Sequence, residues 1–464
     1  MNQIFRHAIT NSLVSLTANK CERVDNNATL SLIFSVVVQT NLQKLRLNDL
    51  NYRTNQIAWP IQSTLEKLTI GYCSYQQYRV ILCNSLRLRT LAIRNWIMDN
   101  TDETASSYAL TTFDSTGRVK CVPFKYHLSY RRVSNSFPLH KIRTRLKTLT
   151  TIDLSHNEIS DIGAQHLANT LRNHQTLTIL DLSRNRIGNN GMQYLHDTFK
   201  ENKTLIQLNL AGNPGSYCAT VSAAIQIRND KTITKMNLCE KSIDDSAMKF
   251  LTNALVNNET IIELDLSDNK MGDIGTKHLA DALQNNKTLT ILKFSMNKIG
   301  DIGSKYLADA LQNNKTLTIL KLSNNQIGHI GVKYLSDLLQ TNQIITIMDL
   351  SENHIGDTGT QYLANVLQNN ATITELNLSH NEISDVGVQY LGYSLQNNTT
   401  LVTFDLSNNT IGDIGAQQLL NLLETNKTIT KMRLTGNMSK YCEAIGIAIA
   451  IRNDKVFKTD SLST

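Results

Sequence analysis

The sequence predicts an α/β repeat array, a stack of strand–turn–helix units, and three observations support that expectation. From Leu149 onward one pattern recurs every 28 residues through eleven units without an insertion. Its first apolar residues are Leu149, Leu177, Leu205, Ile233, Ile261, Leu289, Leu317, Ile345, Ile373, Leu401 and Ile429. Inside a unit, leucines at alternating positions such as Leu180 and Leu182 have the period of a strand with one face buried. Further on, Leu167/Leu171, Leu279/Leu283 and Leu307/Leu311 stand four apart, which places both members on one helix face. A single unit cannot bury both its strand leucines and its helix face; a stack can.

Taken in order, residues 1–105 hold a looser version of the pattern. Leu42/Leu45/Leu47, Leu65/Leu68/Ile70 and Leu88/Leu91/Ile93 repeat LxxLxL at spacings of 23, with Leu13/Leu16 as an earlier copy. A basic junction follows over 106–148. Between Arg118 and Lys147 it carries nine Lys/Arg and no acid, Arg131, Arg132, Lys141, Arg143, Arg145 and Lys147 among them, interleaved with Phe124, Tyr126, Tyr130 and Phe137. The regular array then runs over 149–456, and 457–464 is a short tail. In each regular unit an Asn (Asn157, Asn185, Asn269, Asn297, Asn325, Asn353, Asn381, Asn409) stands at the turn off the strand, where its amide can satisfy backbone groups that no ladder reaches. Asp161, Asn189, Asp273, Asp301, Asp357, Asp385 and Asp413 are candidate helix N-caps. The Asn-x-Thr triplets at Asn202, Asn258, Asn286, Asn314, Asn370 and Asn426 serve the turn into the next strand rather than glycosylation.

Some units depart from this grammar. Residues 212–232 and 436–456 lack the helix-start Gly and share Tyr-Cys and Ile-Arg-Asn-Asp, eight units apart. The unit 233–260 puts Lys241 at the Asn column and Ala247 at the Gly column. An irregularity in curvature is expected around 212–250, and the second variant closes the array as a cap.

The LxxLxLxxNxI motif with its 28-residue period resembles the leucine-rich repeats of the ribonuclease-inhibitor type, over Leu149 to about Val456. The same subtype occurs in the sensor regions of NLR-type receptors and in Ran GTPase-activating proteins, while the shorter units before Leu149 are similar to those of F-box/LRR proteins. The resemblance implies a leucine-rich-repeat solenoid, a horseshoe with a parallel β-sheet on the concave face and helices on the convex face. It also implies that a partner binds on the concave face.

Composition and motifs narrow the function. The 464 residues are 41% hydrophobic and 18% charged, enough for a packed core. The longest apolar stretch, Leu30 to Val38, is far short of a transmembrane span, and MNQIFRHAITNSL lacks the pattern of a secretory signal. Seven cysteines with no CxxC pair read as reduced thiols of a cytoplasmic or nuclear protein, without disulfides or a zinc site. Residues 1–148 carry 20 Lys+Arg against 8 Asp+Glu, a net +12, and the remainder 26 against 31, a net −5, so attraction to an acidic partner belongs to the first third. There is no GxxxxGK[ST], GxSxG, HExxH or strand-linked GxGxxG, and no catalytic residue, metal site or cofactor is expected.

The outward columns of the strands are the candidate binding surface. One column runs Asp153, Asp181, Asn209, Asn237, Asp265, Lys293, Lys321, Asp349, Asn377, Asp405, Arg433. Two residues earlier, Ile291, Ile319 and Ile347 form an apolar strip about 10 Å long flanked by Lys293, Lys321 and Asp349. Near-duplication of the units 261–344 explains the strip equally well without a partner. The expected function is a non-enzymatic protein-interaction scaffold or recognition module for a protein partner. Nucleic acid is disfavoured as a partner of the basic junction, and neither a membrane nor a small-molecule substrate is indicated. A GTPase activator of the Ran type is the alternative, weakened because those proteins end in an acidic tail and this chain ends KVFKTDSLST.

Overall fold

The computed structural model describes residues 15–19, 42–52, 65–74, 90–97, 150–157 and 159–449. The basic junction, with Arg131, Arg132, Lys141, Arg143, Arg145 and Lys147, and the tail 457–464 lie outside the described residues. The chain divides into two compact units, Met1–Asn229 and Asp230–Thr464.

The first unit is organised by a seven-stranded parallel sheet in sequential order: β1 (Ser15–Asn19), β2 (Lys44–Tyr52), β3 (Lys67–Ser74), β4 (Thr90–Ile97), β5 (Thr151–Asp153), β6 (Ile179–Asp181) and β7 (Gln207–Asn209). The 23-residue spacing sets the register Leu45↔Leu68↔Leu91. Leu91 on β4 then pairs with Ile152 on β5, so the short units and the regular ones share one sheet. Residues 98–150 are therefore an insertion between neighbouring strands. Helices α1 (Asp161–Leu171), α2 (Asn189–Phe199) and α3 (Cys218–Asn229) follow β5, β6 and β7.

The second unit holds an eight-stranded parallel sheet: β8 (Lys235–Asn237), β9 (Glu263–Asp265), β10 (Ile291–Lys293), β11 (Ile319–Lys321), β12 (Ile347–Asp349), β13 (Glu375–Asn377), β14 (Thr403–Asp405) and β15 (Lys431–Arg433). Between successive strands run α4 (Asp245–Val256), α5 (Asp273–Leu283), α6 (Asp301–Leu311), α7 (His329–Thr341), α8 (Gly356–Leu367), α9 (Asp385–Leu395) and α10 (Asp413–Thr425). One sheet ends at β7 and the other begins at β8, so the ladder breaks inside 212–250, where the repeat grammar fails.

From β5 onward each strand is only three residues long, and in the regular units a fixed Asn turn ends it. Asn325 is representative. Its Nδ2 donates to the carbonyls of Leu322 in its own unit (3.0 Å) and Phe294 in the preceding one (3.1 Å), while its Oδ1 accepts from Ile299 N (3.0 Å). The same three bonds recur at Asn185, Asn269, Asn297, Asn353 and Asn409. A second column does the same work at the other end of the helix. Asn286 is buried, donates to Leu255 O (2.8 Å) and accepts from Thr288 N and Leu289 N. Its Nδ2 is the atom a glycan would need, and it is spent inside the fold.

The helix starts differ from the sequence expectation. Asp161, Asp273, Asp301, Asp357, Asp385 and Asp413 are not N-caps; they lie inside their helices, most as the first residue, and where that residue is Asp161, Asp273, Asp301, Asp385 or Asp413 the cap before it makes no side-chain cap bond except at Ser384. The carboxylate instead reaches the next unit. Asp273 Oδ1 accepts from Gly300 N (2.8 Å) and Gly303 N (2.9 Å), and Asp301 Oδ1 from Gly328 N and Gly331 N (both 2.8 Å). The helices α5, α6, α7, α9 and α10 are thus each capped from the preceding unit, two free N–H groups meeting one anion at the positive end of the dipole. The Gly column follows from this: a Cβ at Gly303 would lie 2.6 Å from Asp273 Oδ1. Where the Gly is replaced by Ala247, Asp244 caps its own helix, accepting from Ala247 N at 2.8 Å.

Candidate functional site: the sheet face of the second unit

In β9–β12 the central residues Leu264, Leu292, Leu320 and Met348 are fully buried, and the residues on either side are half-buried. Because strand side chains alternate, the first and third residues share the face opposite the leucine core. The register aligns Glu263↔Ile291↔Ile319↔Ile347↔Glu375 in one column and Asp265↔Lys293↔Lys321↔Asp349↔Asn377 in the other. Ile291, Ile319, Ile347, Lys293, Lys321 and Asp349 therefore form one continuous patch, in the register the sequence implies.

The charged members are not equivalent. Lys293 Nζ lies 2.5 Å from Glu263 Oε1 and 3.7 Å from Asp265 Oδ2, and Lys235 Nζ lies 2.9 Å from Glu263 Oε2. Asp349 Oδ1 accepts from Ser351 N (3.1 Å) and Ser351 Oγ (2.7 Å), closing the turn after β12. Asp153, Asp181, Asp265 and Asp405 bind the backbone N–H two residues on in the same way. The carboxylates of this column thus close the turns after their strands.

Glu263 was only one member of a column in the sequence; the structure makes it the anchor of one margin of the patch. Hydrogen bonds from Lys293 and then Lys235 lower its pKa from 4.5 to about 2. A depressed carboxylate contributes its stability fully above the unfolded value and loses it as pH falls through the folded one. The contribution of Glu263 is therefore complete above about pH 4.5 and disappears toward pH 2. Carbon-detected NMR titration is expected to show Glu263 titrating near 2 in the native chain. Lys293→Met is expected to move it toward 4.5. An unmoved midpoint would remove Lys293 as the main cause.

Sequence reading overlooked a second apolar column. Ile274, Ile302, Ile330 and Ile414 stand at the second position of their helices and are 63%, 58%, 41% and 71% exposed. The recurrent Ile-Gly at each helix start was the available signal. Among the described residues no group of three or more His, Cys, Asp or Glu could hold a metal ion, and no helix is long and apolar enough to cross a membrane. Cys218, Cys239 and Cys442 are free thiols, and burial pushes Cys218 and Cys442 up, away from the thiolate that a nucleophile needs.

Comparison with known proteins agrees with this geometry. The family described as Leucine Rich repeat matches residues 145–168, 173–195, 257–280, 285–308, 313–336, 341–364, 369–392 and 397–420. The gap between the second and third matches, 196–256, takes in most of the irregular units 205–260. The chain is a leucine-rich-repeat protein with an α/β solenoid fold, and such repeats generally mediate protein–protein interaction. No curated protein matches the sequence. Among solved structures, the chain is similar to actin-binding site 2 of leiomodin-1, at 25% identity over 32% of this chain and 86% of that one, TM-score 0.29. An internalin of Listeria monocytogenes aligns at 20% identity over 61% and 87% of the two chains, TM-score 0.30.

Proposed function

We propose that the protein is a non-enzymatic recognition module or adaptor of the cytoplasm or nucleus, and that it binds a protein partner on the sheet face of the second unit. The observation that supports this is the patch itself: three half-buried isoleucines in adjacent register on the face opposite the core, each with part of an apolar side chain still uncovered. The resemblance to NLR sensor regions and to F-box/LRR substrate receptors points to the same kind of role.

The triple variant Ile291→Ser, Ile319→Ser, Ile347→Ser tests it. Each replacement is expected to cost about 1 kcal/mol of stability, because the side chain is half-buried against its neighbours on the sheet face. If the strip anchors the partner, each should remove about 1–3 kcal/mol of binding. Partners captured by the native chain from cells, identified by mass spectrometry, should then be lost while the variant still folds and unfolds cooperatively. Undiminished capture by the triple variant would move the interface elsewhere.

A further inference from the structure

We propose that the patch over β10–β12 selects an acidic–apolar protein segment: one that sets a carboxylate against Lys321 between aliphatic or aromatic side chains lying on Ile291, Ile319 and Ile347. This rests on the reading of the sheet face as the binding surface and adds the chemistry of the partner.

Within the patch Lys321 stands apart from Lys293, the other cation, and it differs likewise from Lys235 and Arg433. Lys293 is held by Glu263 and Asp265, Lys235 by Glu263, and Arg433 lies 3.5 Å from Asp405. Among the described residues Lys321 is in no such ion pair, although register sets Asp349 beside it on β12. Asp349 is turned to its own Ser351.

A partner that covers the three isoleucines strips water from the lysine that lies among them. Removing a cation from water without a counter-charge is costly, and a carboxylate brought by the partner offsets that cost. The margins of the patch set the limit on how much acid is tolerated. Glu263 and Asp265 lie on one side, and Asp349 and Glu375 on the other. A uniformly acidic surface would meet those carboxylates and be repelled, so the charge pattern favours an isolated carboxylate with apolar neighbours.

Selection of short random displayed peptides on the full-length chain tests both layers. Peptides enriched on the native protein are expected to carry one Asp or Glu flanked by aliphatic or aromatic residues. Lys321→Glu should weaken them about tenfold or more and redirect selection to Lys or Arg within similar apolar flanks. The melting profile of that variant should match the native one, since Lys321 has no ion pair to lose. Peptides that depend on the isoleucines, lack an acid and ignore Lys321→Glu would overturn the acid requirement and leave the sheet face standing. Peptides indifferent to both the triple Ser variant and Lys321→Glu would overturn both readings. A preference for phosphorylated over carboxylate peptides, or for strongly acidic ones, would overturn this inference alone.

Discussion

Replacing Asn325 with alanine is expected to destabilise the second unit by about 2–4 kcal/mol, from one buried N–H left unpaired at about 1–3 kcal/mol and two carbonyls that each lose one of their donors. The side chain bridges two turns: it donates to Leu322 O of its own and Phe294 O of the preceding one, and accepts from Ile299 N of the preceding one. Alanine leaves the Ile299 N–H without this acceptor and opens a space beside it, while Leu322 O keeps Asn353 Nδ2 and Phe294 O keeps Asn297 Nδ2. Water entering that space would recover part of the loss, which sets the lower end of the range. Urea unfolding followed by circular dichroism measures the effect, with Asn324→Ala as the comparison. Asn324 is the exposed neighbour whose Nδ2 reaches Glu352 at 2.8 Å, and because its φ of 51° is left-handed its replacement should cost about 1 kcal/mol. Equal losses at the two positions would mean that the column is not what ends the strands.

The second large effect is expected at Gly303. An alanine Cβ there would sit 2.6 Å from Asp273 Oδ1 and 2.8 Å from Ile299 Cγ2. Either the helix start moves or the carboxylate leaves, and with it both hydrogen bonds to Gly300 N and Gly303 N. Overpacking and loss of a charged acceptor together suggest about 3 kcal/mol. Asp273→Ala alone should cost about 2 kcal/mol, the loss of a cap to the following helix. The two changes act on one contact, so the double variant should lose less than their sum, with a coupling of about 1 kcal/mol or more. Simple additivity would show that the Gly column is not explained by the carboxylate of the preceding unit.

These two sites also show why the array is cooperative along its length. The backbone bonds of a leucine-rich unit are completed by side chains of its neighbours, Asn from the unit after and Asp from the unit before. A unit is therefore poorly satisfied alone, beyond the loss of its packed face.

The 28-residue period determined the α/β stack, the number of regular units, the buried leucines and the strand register, because alternation and helical spacing leave one assignment that buries every leucine. Ile291, Ile319 and Ile347 could be placed in one column for that reason. The 23-residue spacing likewise foretold the register of β2, β3 and β4. What the sequence did not contain was the partnership between units. A local reading assigns Asp273 to its own helix as a cap, because capping is ordinarily a contact within one helix; only the packed structure puts its carboxylate on Gly300 and Gly303. The joining of β4 to β5 across the inserted segment 98–150 also had no local signal. The division of charges on the sheet face is tertiary as well. Lys293 and Lys321 occupy the same offset in near-duplicate units, and the chain alone makes them alike. Glu263 on β9 claims the first, while the turn after β12 keeps Asp349 from the second. That asymmetry arises from which strand stands next to which, and it leaves Lys321 as the cation of the patch that is in no ion pair among the described residues.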